Sequence, residues 1–71
     1  MSGISIRVTV NGEDREFEGR PSAPELLDLL GINLGLVAVA VNGVVVRRVD
    51  LDATVLSDGD VVEIVRAVGG G

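Results

Sequence analysis

The sequence predicts an α+β domain in which two hairpins and a final strand share one sheet and a single helix covers one face. Two Asn-Gly pairs, at 11–12 and 42–43, each sit between runs of strand-forming residues, and such pairs accept the positive φ angles that tight hairpin turns require. A helix-like stretch lies between the two hairpins, from Ser22 to Gly31. A third strand-like run, 61–66, follows the second hairpin. One helix among several strands buries its apolar stripe on one face of a single sheet.

The first strand is read at 4–10, where Ile4, Ile6, Val8 and Val10 alternate with Ser5, Arg7 and Thr9. That period of two marks a strand with one buried face. Residues 15–18 return as the second arm, and Phe17, the one aromatic residue, is assigned to the core. Ser22-Ala23-Pro24-Glu25 reads as a capping box, with hydroxyl and carboxylate each satisfying the other residue's amide. Ala23, Leu26, Leu27 and Leu30 form the apolar stripe of about two turns, and Gly31 ends them. The second hairpin pairs 37–41 with 44–46. Residues 47–57 make a mixed connection, and Asp58-Gly59-Asp60 a tight turn before the last strand.

Composition narrows the function. A chain of 71 residues is one small domain that buries only about 60% of the surface its unfolded form exposes. It contains no Cys, His, Lys, Trp or Tyr, so the usual thiolate, imidazole, Schiff-base amine and zinc ligands are missing. No metal site and no cofactor bound by this chain are expected, and intrinsic catalysis is not expected either. Six Arg against eleven Asp and Glu give a net charge of -5, which repels phosphate backbones and argues against nucleic acid. The lack of Lys fits either an Arg-favouring genome or selection against acylation of the chain's own side chains. No apolar stretch approaches the ~20 residues that span a bilayer, and Met1-Ser2-Gly3 opens no leader pattern. Without disulfides, the expected setting is a reducing cytoplasm. Residues 1–66 are read as one domain and 67–71 as a flexible glycine tail.

Element order and length resemble the β-grasp fold of ubiquitin-like proteins. That resemblance implies a mixed sheet with the first and last strands side by side and parallel at its centre, and the helix laid diagonally across. The resemblance sharpens at the end of the chain. The run Asp58-Gly59-Asp60-Val61-Val62-Glu63-Ile64-Val65-Arg66-Ala67-Val68-Gly69-Gly70-Gly71 looks like the C-terminal signature of prokaryotic sulfur carriers. Val39-Ala40-Val41-Asn42-Gly43-Val44-Val45-Val46-Arg47 is similar to the V-N-x-x-x-V-x-R hairpin of the ThiS family of thiamine biosynthesis. The related MoaD family of molybdopterin synthesis is longer and ends A-G-G or T-G-G, so length favours ThiS.

Within that family an ATP-dependent, ubiquitin-activating-type (ThiF-like) enzyme adenylates the last glycine, and sulfur displaces AMP to leave a thiocarboxylate. The resemblance therefore makes Gly71 the reacting residue, with ATP used by the partner, and a ThiG-like thiazole synthase the sulfur acceptor. Molybdopterin, cysteine or tRNA thiolation, or a ubiquitin-like protein modifier, stand as alternatives. A free carboxylate is ionised at neutral pH and a poor electrophile, so activation is needed. Val68, Gly69 and Gly70 would enter the partner's active site, where a thin peptide fits and water is excluded. From Ala67 the extended chain reaches about 16 to 18 Å. With no Cys, carried sulfur has no side chain to occupy.

A docking face follows from alternation in the last strand. If Val62 and Ile64 face the helix, as the family resemblance implies, Val61, Glu63 and Val65 lie on the opposite side, and Ala38 and Ala40 of the third strand join them if Val37, Val39 and Val41 face inward. A chain that is 46% hydrophobic with so little interior leaves apolar surface exposed, and an exposed apolar patch often marks an interface, although scattered surface valines are ordinary. The carboxylates of Glu13, Asp14, Glu16 and Glu18 either form a solvated face or meet basic residues of a partner. A monomer is expected when the chain is free.

Overall fold

Inward apolar residues at every second position and turns that accept positive φ combine into one sheet in the computed structural model, which describes residues 4–66. Strands β1 (Ser5–Val10) and β2 (Glu13–Glu18) form the first hairpin, and β3 (Val37–Val41) and β4 (Val44–Val45) the second. Strand β5 (Val61–Arg66) ends the described chain. The strand order is β2-β1-β5-β3-β4, with β1 and β5 parallel and the other pairs antiparallel. The expected parallel centre is thus present, and both hairpins flank it.

Both hairpin turns have the backbone that their sequence dictates. Asn11 and Gly12 take φ of +50° and +84°, and Asn42 and Gly43 take +53° and +84°. Two successive positive φ angles match the right-handed twist of the flanking strands.

The helix α1 (Ala23–Leu29) starts at a formed capping box: the Glu25 N–H donates to Ser22 Oγ at 3.3 Å, and the Ser22 N–H to Glu25 Oε1 at 2.9 Å. Ala23, Leu26 and Leu27 are buried against Ile6, Val8, Val10, Val39, Val62 and Ile64. Leu30 packs at the edge of that cluster, and Gly31, at φ +74°, turns the chain away.

Four expectations are corrected. Ile4 lies outside β1 and is 65% exposed, because its position precedes the covered part of the sheet. Phe17 is only partly buried: β2 is an edge strand, so its inward side chain has neighbours on one flank alone. β2 begins two residues early, at Glu13, since the two-residue turn lets Val10 and Glu13 pair directly. β4 is shorter than 44–46, although the Val46 N–H still donates to the Val39 carbonyl at 2.9 Å.

The mixed connection holds more order than its sequence suggests. Arg48–Ala53 forms a 3-10 helix that buries Leu51, and Leu56 beyond it is fully buried. The segment is tied to the start of α1 by bonds from the Ala23 N–H to the Thr54 carbonyl and from the Leu56 N–H to the Pro21 carbonyl, 2.8 and 2.9 Å long. Leu51 and Leu56 join the same core cluster as the helix residues. Among the described residues, no helix is long and apolar enough to cross a membrane.

Candidate functional site

β5 carries the candidate site because it is the central strand whose end leads into residues 67–71. Its alternation is clean: Val62 and Ile64 are buried under the helix, while Val61, Glu63 and Val65 are exposed on the other face. Register places Ala40 beside Glu63 and Ala38 beside Val65. All five proposed docking residues therefore share the helix-free face. Val61 is 43% and Val65 59% exposed, and the two alanines are partly so. The small side chain of Ala38 beside it leaves Val65 the more exposed of the two valines.

Val45 extends this patch and was missed. It pairs with Ala40 and is 69% exposed. The signal was present, because a two-residue turn at 42–43 fixes the register of the hairpin and sets residue 45 opposite residue 40.

The same face changes character across the sheet. Ser5, Arg7 and Thr9 pair with Glu18, Glu16 and Asp14, so three carboxylates line the flank away from the valines. Ser5 Oγ donates to Glu16 Oε2 and Thr9 Oγ1 to Asp14 Oδ1, each at 3.0 Å. Glu13 lies on the opposite face, with Arg15 3.3 Å away. The acidic group named from sequence is therefore split: Asp14, Glu16 and Glu18 border the candidate face and Glu13 does not.

The Asp58-Gly59-Asp60 turn fixes the start of β5. The Arg7 N–H donates to Asp58 Oδ1 and the Gly59 N–H to the Arg7 carbonyl, both at 2.8 Å. Asp60 accepts from the Ser57 N–H at 2.8 Å and from the Asn42 side chain at 3.0 Å. These carboxylates act in turn geometry, as the sequence reading assigned them.

The two turn asparagines hold the same strand from opposite sides. The Asn42 N–H donates to the Val61 carbonyl at 2.7 Å, and the Val61 N–H donates to Asn42 Oδ1 at 2.9 Å. The Ile64 N–H donates to Asn11 Oδ1 at 2.8 Å, and Asn11 Nδ2 donates to the Ile64 carbonyl at 3.1 Å. Sequence reasoning assigned both asparagines to turns alone.

Val68, Gly69, Gly70 and Gly71 lie outside the described residues. Chemically, the described face offers apolar contact and carboxylates. Among the described residues no cluster of three or more metal-binding side chains occurs.

The family model that matches is the ThiS family, over residues 8–71. The chain is 39% identical over 64 residues to the sulfur carrier protein ThiS of Thermus thermophilus, covering 90% of this chain and 98% of that protein. It is also 35% identical over 66 residues to a thiazole synthase of Paramagnetospirillum magneticum, of which it spans only 20%. Among solved structures, the crystal structure of ThiS from Geobacter metallireducens superposes with a TM-score of 0.82 at 38% identity, over 93% of this chain and 100% of the other. A complex of subunits 1 and 2 of molybdopterin-converting factor from Helicobacter pylori contains a chain with a TM-score of 0.56 at 27% identity, over 96% and 100%. Sequence family, length and β-grasp sheet order agree: this chain belongs to the ThiS family of sulfur carriers.

Proposed function

We propose that this chain carries sulfur at Gly71 as a thiocarboxylate destined for the thiazole ring of thiamine. The observation that carries the reading is the family match, which runs through the glycine tail to residue 71. Activation is by an adenylating enzyme of the ubiquitin-activating type, which couples the Gly71 carboxylate to AMP and releases pyrophosphate from ATP. A sulfur nucleophile then attacks the acyl carbon and AMP leaves. Where that nucleophile is a donor's persulfide, a second thiolate then attacks the donor sulfur of the acyl disulfide, a new disulfide forms between donor and thiol, and the thiocarboxylate leaves with the electron pair of the broken S–S bond. The chain itself supplies no catalytic group; Gly69 and Gly70 give a stem thin enough for a sealed active site.

Thiazole synthase is the favoured acceptor. A protein of that name contains a region 35% identical to this chain within a much longer polypeptide, which suits two partners that act on each other. The lower similarity to the molybdopterin-converting factor chain makes that route the second reading.

Docking uses the helix-free face, with Val61, Val65, Ala38 and Ala40 as apolar contacts and Glu63 among them. Val45 widens the same patch. The free carrier is a monomer of the cytoplasm that binds each partner transiently.

Intact-mass spectrometry tests the chemistry. Incubated with the adenylating enzyme, ATP and a sulfur donor, the chain gains the mass difference between one oxygen and one sulfur, and loses that gain when residues 69–71 are deleted. Equal gain in the truncated chain, or none in the whole chain beside a carrier that the same enzyme does load, sinks the proposal.

A further inference from the structure

β1 and β5 run parallel, but their register pairs end at Val10 and Val62. The Thr9 N–H donates to the Asp60 carbonyl and the Asn11 N–H to the Val62 carbonyl, both at 3.0 Å. Continued regularly, that ladder would give the Ile64 N–H the main-chain carbonyl of Asn11, and the Ile64 carbonyl the N–H of residue 13. The chain cannot supply them there, because Asn11 has turned to φ +50° and entered the hairpin. Its side chain supplies them instead: Oδ1 accepts from the Ile64 N–H at 2.8 Å and Nδ2 donates to the Ile64 carbonyl at 3.1 Å. A primary amide presents one acceptor and a donor pair in a plane, as a peptide unit does. Both bonds are part-buried, where solvent competes less well for them.

We propose that Asn11 is a positioning residue for loading of the tail: its amide replaces the missing peptide unit of β1 and fixes Ile64, and so the place at which β5 leaves the sheet at Arg66. This inference rests on the sulfur-carrier reading. Asn42 does the equivalent at the other end of β5, where its Oδ1 takes the place of its own carbonyl as acceptor for the Val61 N–H. The two ends differ in consequence. Val61 follows the firmly bonded 58–60 turn, whereas beyond Ile64 register pairing continues only on the β3 side, through Ala38 with Val65 and Val37 with Arg66. Loss of the Asn11 amide therefore releases one flank of the strand at its exit.

An adenylating partner that binds the sheet face and takes up the chain beyond Arg66 gains most when the end of β5 is held in fixed relation to that face, since less freedom is lost on binding. Asn11→Gly removes the side chain while keeping a residue that accepts the positive φ, so the turn survives. Hydrogen exchange then accelerates about tenfold or more at Ile64 through Arg66, the scale expected for two lost bonds, and stays unchanged in β2 and α1. In ATP-dependent loading, KM for the carrier rises several-fold while kcat is retained. Asn11→Asp keeps an acceptor for the Ile64 N–H but gives up the donor to its carbonyl, and falls between wild type and Asn11→Gly in both measurements. Uniform acceleration of exchange, or none, overturns the proposal, and so does local acceleration with KM unchanged. A wild-type chain that is never loaded by a proven enzyme overturns the carrier reading instead. The exchange pattern still decides whether Asn11 fixes the strand.

Discussion

Asn42 shows how one residue carries two separable costs. Its φ of +53° is left-handed, which costs a residue with a Cβ roughly 1–2 kcal/mol unless its side chain compensates locally. Its amide also bonds the Val61 N–H and Asp60 Oδ1, each bond contributing about 0.5–1.5 kcal/mol. Asn42→Gly removes the bonds but accepts the backbone, and is expected to lower unfolding stability by about 1–3 kcal/mol. Asn42→Ala loses the bonds and strains the turn, for a total of about 2–5 kcal/mol. Urea unfolding of both variants checks the ordering. Equal losses would show that the left-handed backbone costs nothing here. A side chain named from sequence as a turn residue thus turns out to be a tertiary contact as well. The Asn-Gly pair already accounts for a turn, and nothing local reveals that the amide reaches a strand 19 residues away, or 53 away for Asn11.

At the scale of elements, legibility follows the range of the interaction. β1, α1 and both hairpins were readable because alternation, a capping box and Asn-Gly turns are properties of neighbouring residues. The parallel contact of β1 with β5 was not derivable from any period and came through the family resemblance. Residues 47–57 have no repeating pattern, so Leu51 and Leu56 went unnamed although both are core. The outer face of β5 was readable once Val62 and Ile64 were placed inside, and it yields a direct test. Val65 is exposed at the exit of the strand, so Val65→Asp costs less than about 1 kcal/mol of stability, mostly strand preference. Placed in an apolar contact, an unpaired carboxylate is desolvated without a partner, and affinity for the proposed adenylating partner falls about tenfold or more, as isothermal titration would record. Unchanged affinity would remove this face from docking.

For the whole molecule, the question is how the charge of -5 and the apolar patch divide the work of association. The helix-free face has both: Val61, Val65, Ala38, Ala40 and Val45 on one side, and Asp14, Glu16 and Glu18 on the strand at the other edge. Apolar contact acts once the surfaces meet and governs dissociation, whereas charge acts at a distance and governs encounter. Salt separates the two, because the screening length shrinks from about 10 Å at 0.1 M to about 3 Å at 1 M. If the acidic flank steers a basic partner, stopped-flow association with the adenylating enzyme slows as salt rises while dissociation changes little. Glu16→Gln with Glu18→Gln should flatten that dependence. Val65→Thr should speed dissociation at every salt concentration and leave the slope intact. An association rate indifferent to salt would mean that the acidic edge only solvates β2, where closely spaced charges also discourage strand-to-strand pairing with a second copy. The apolar patch would then account for docking alone.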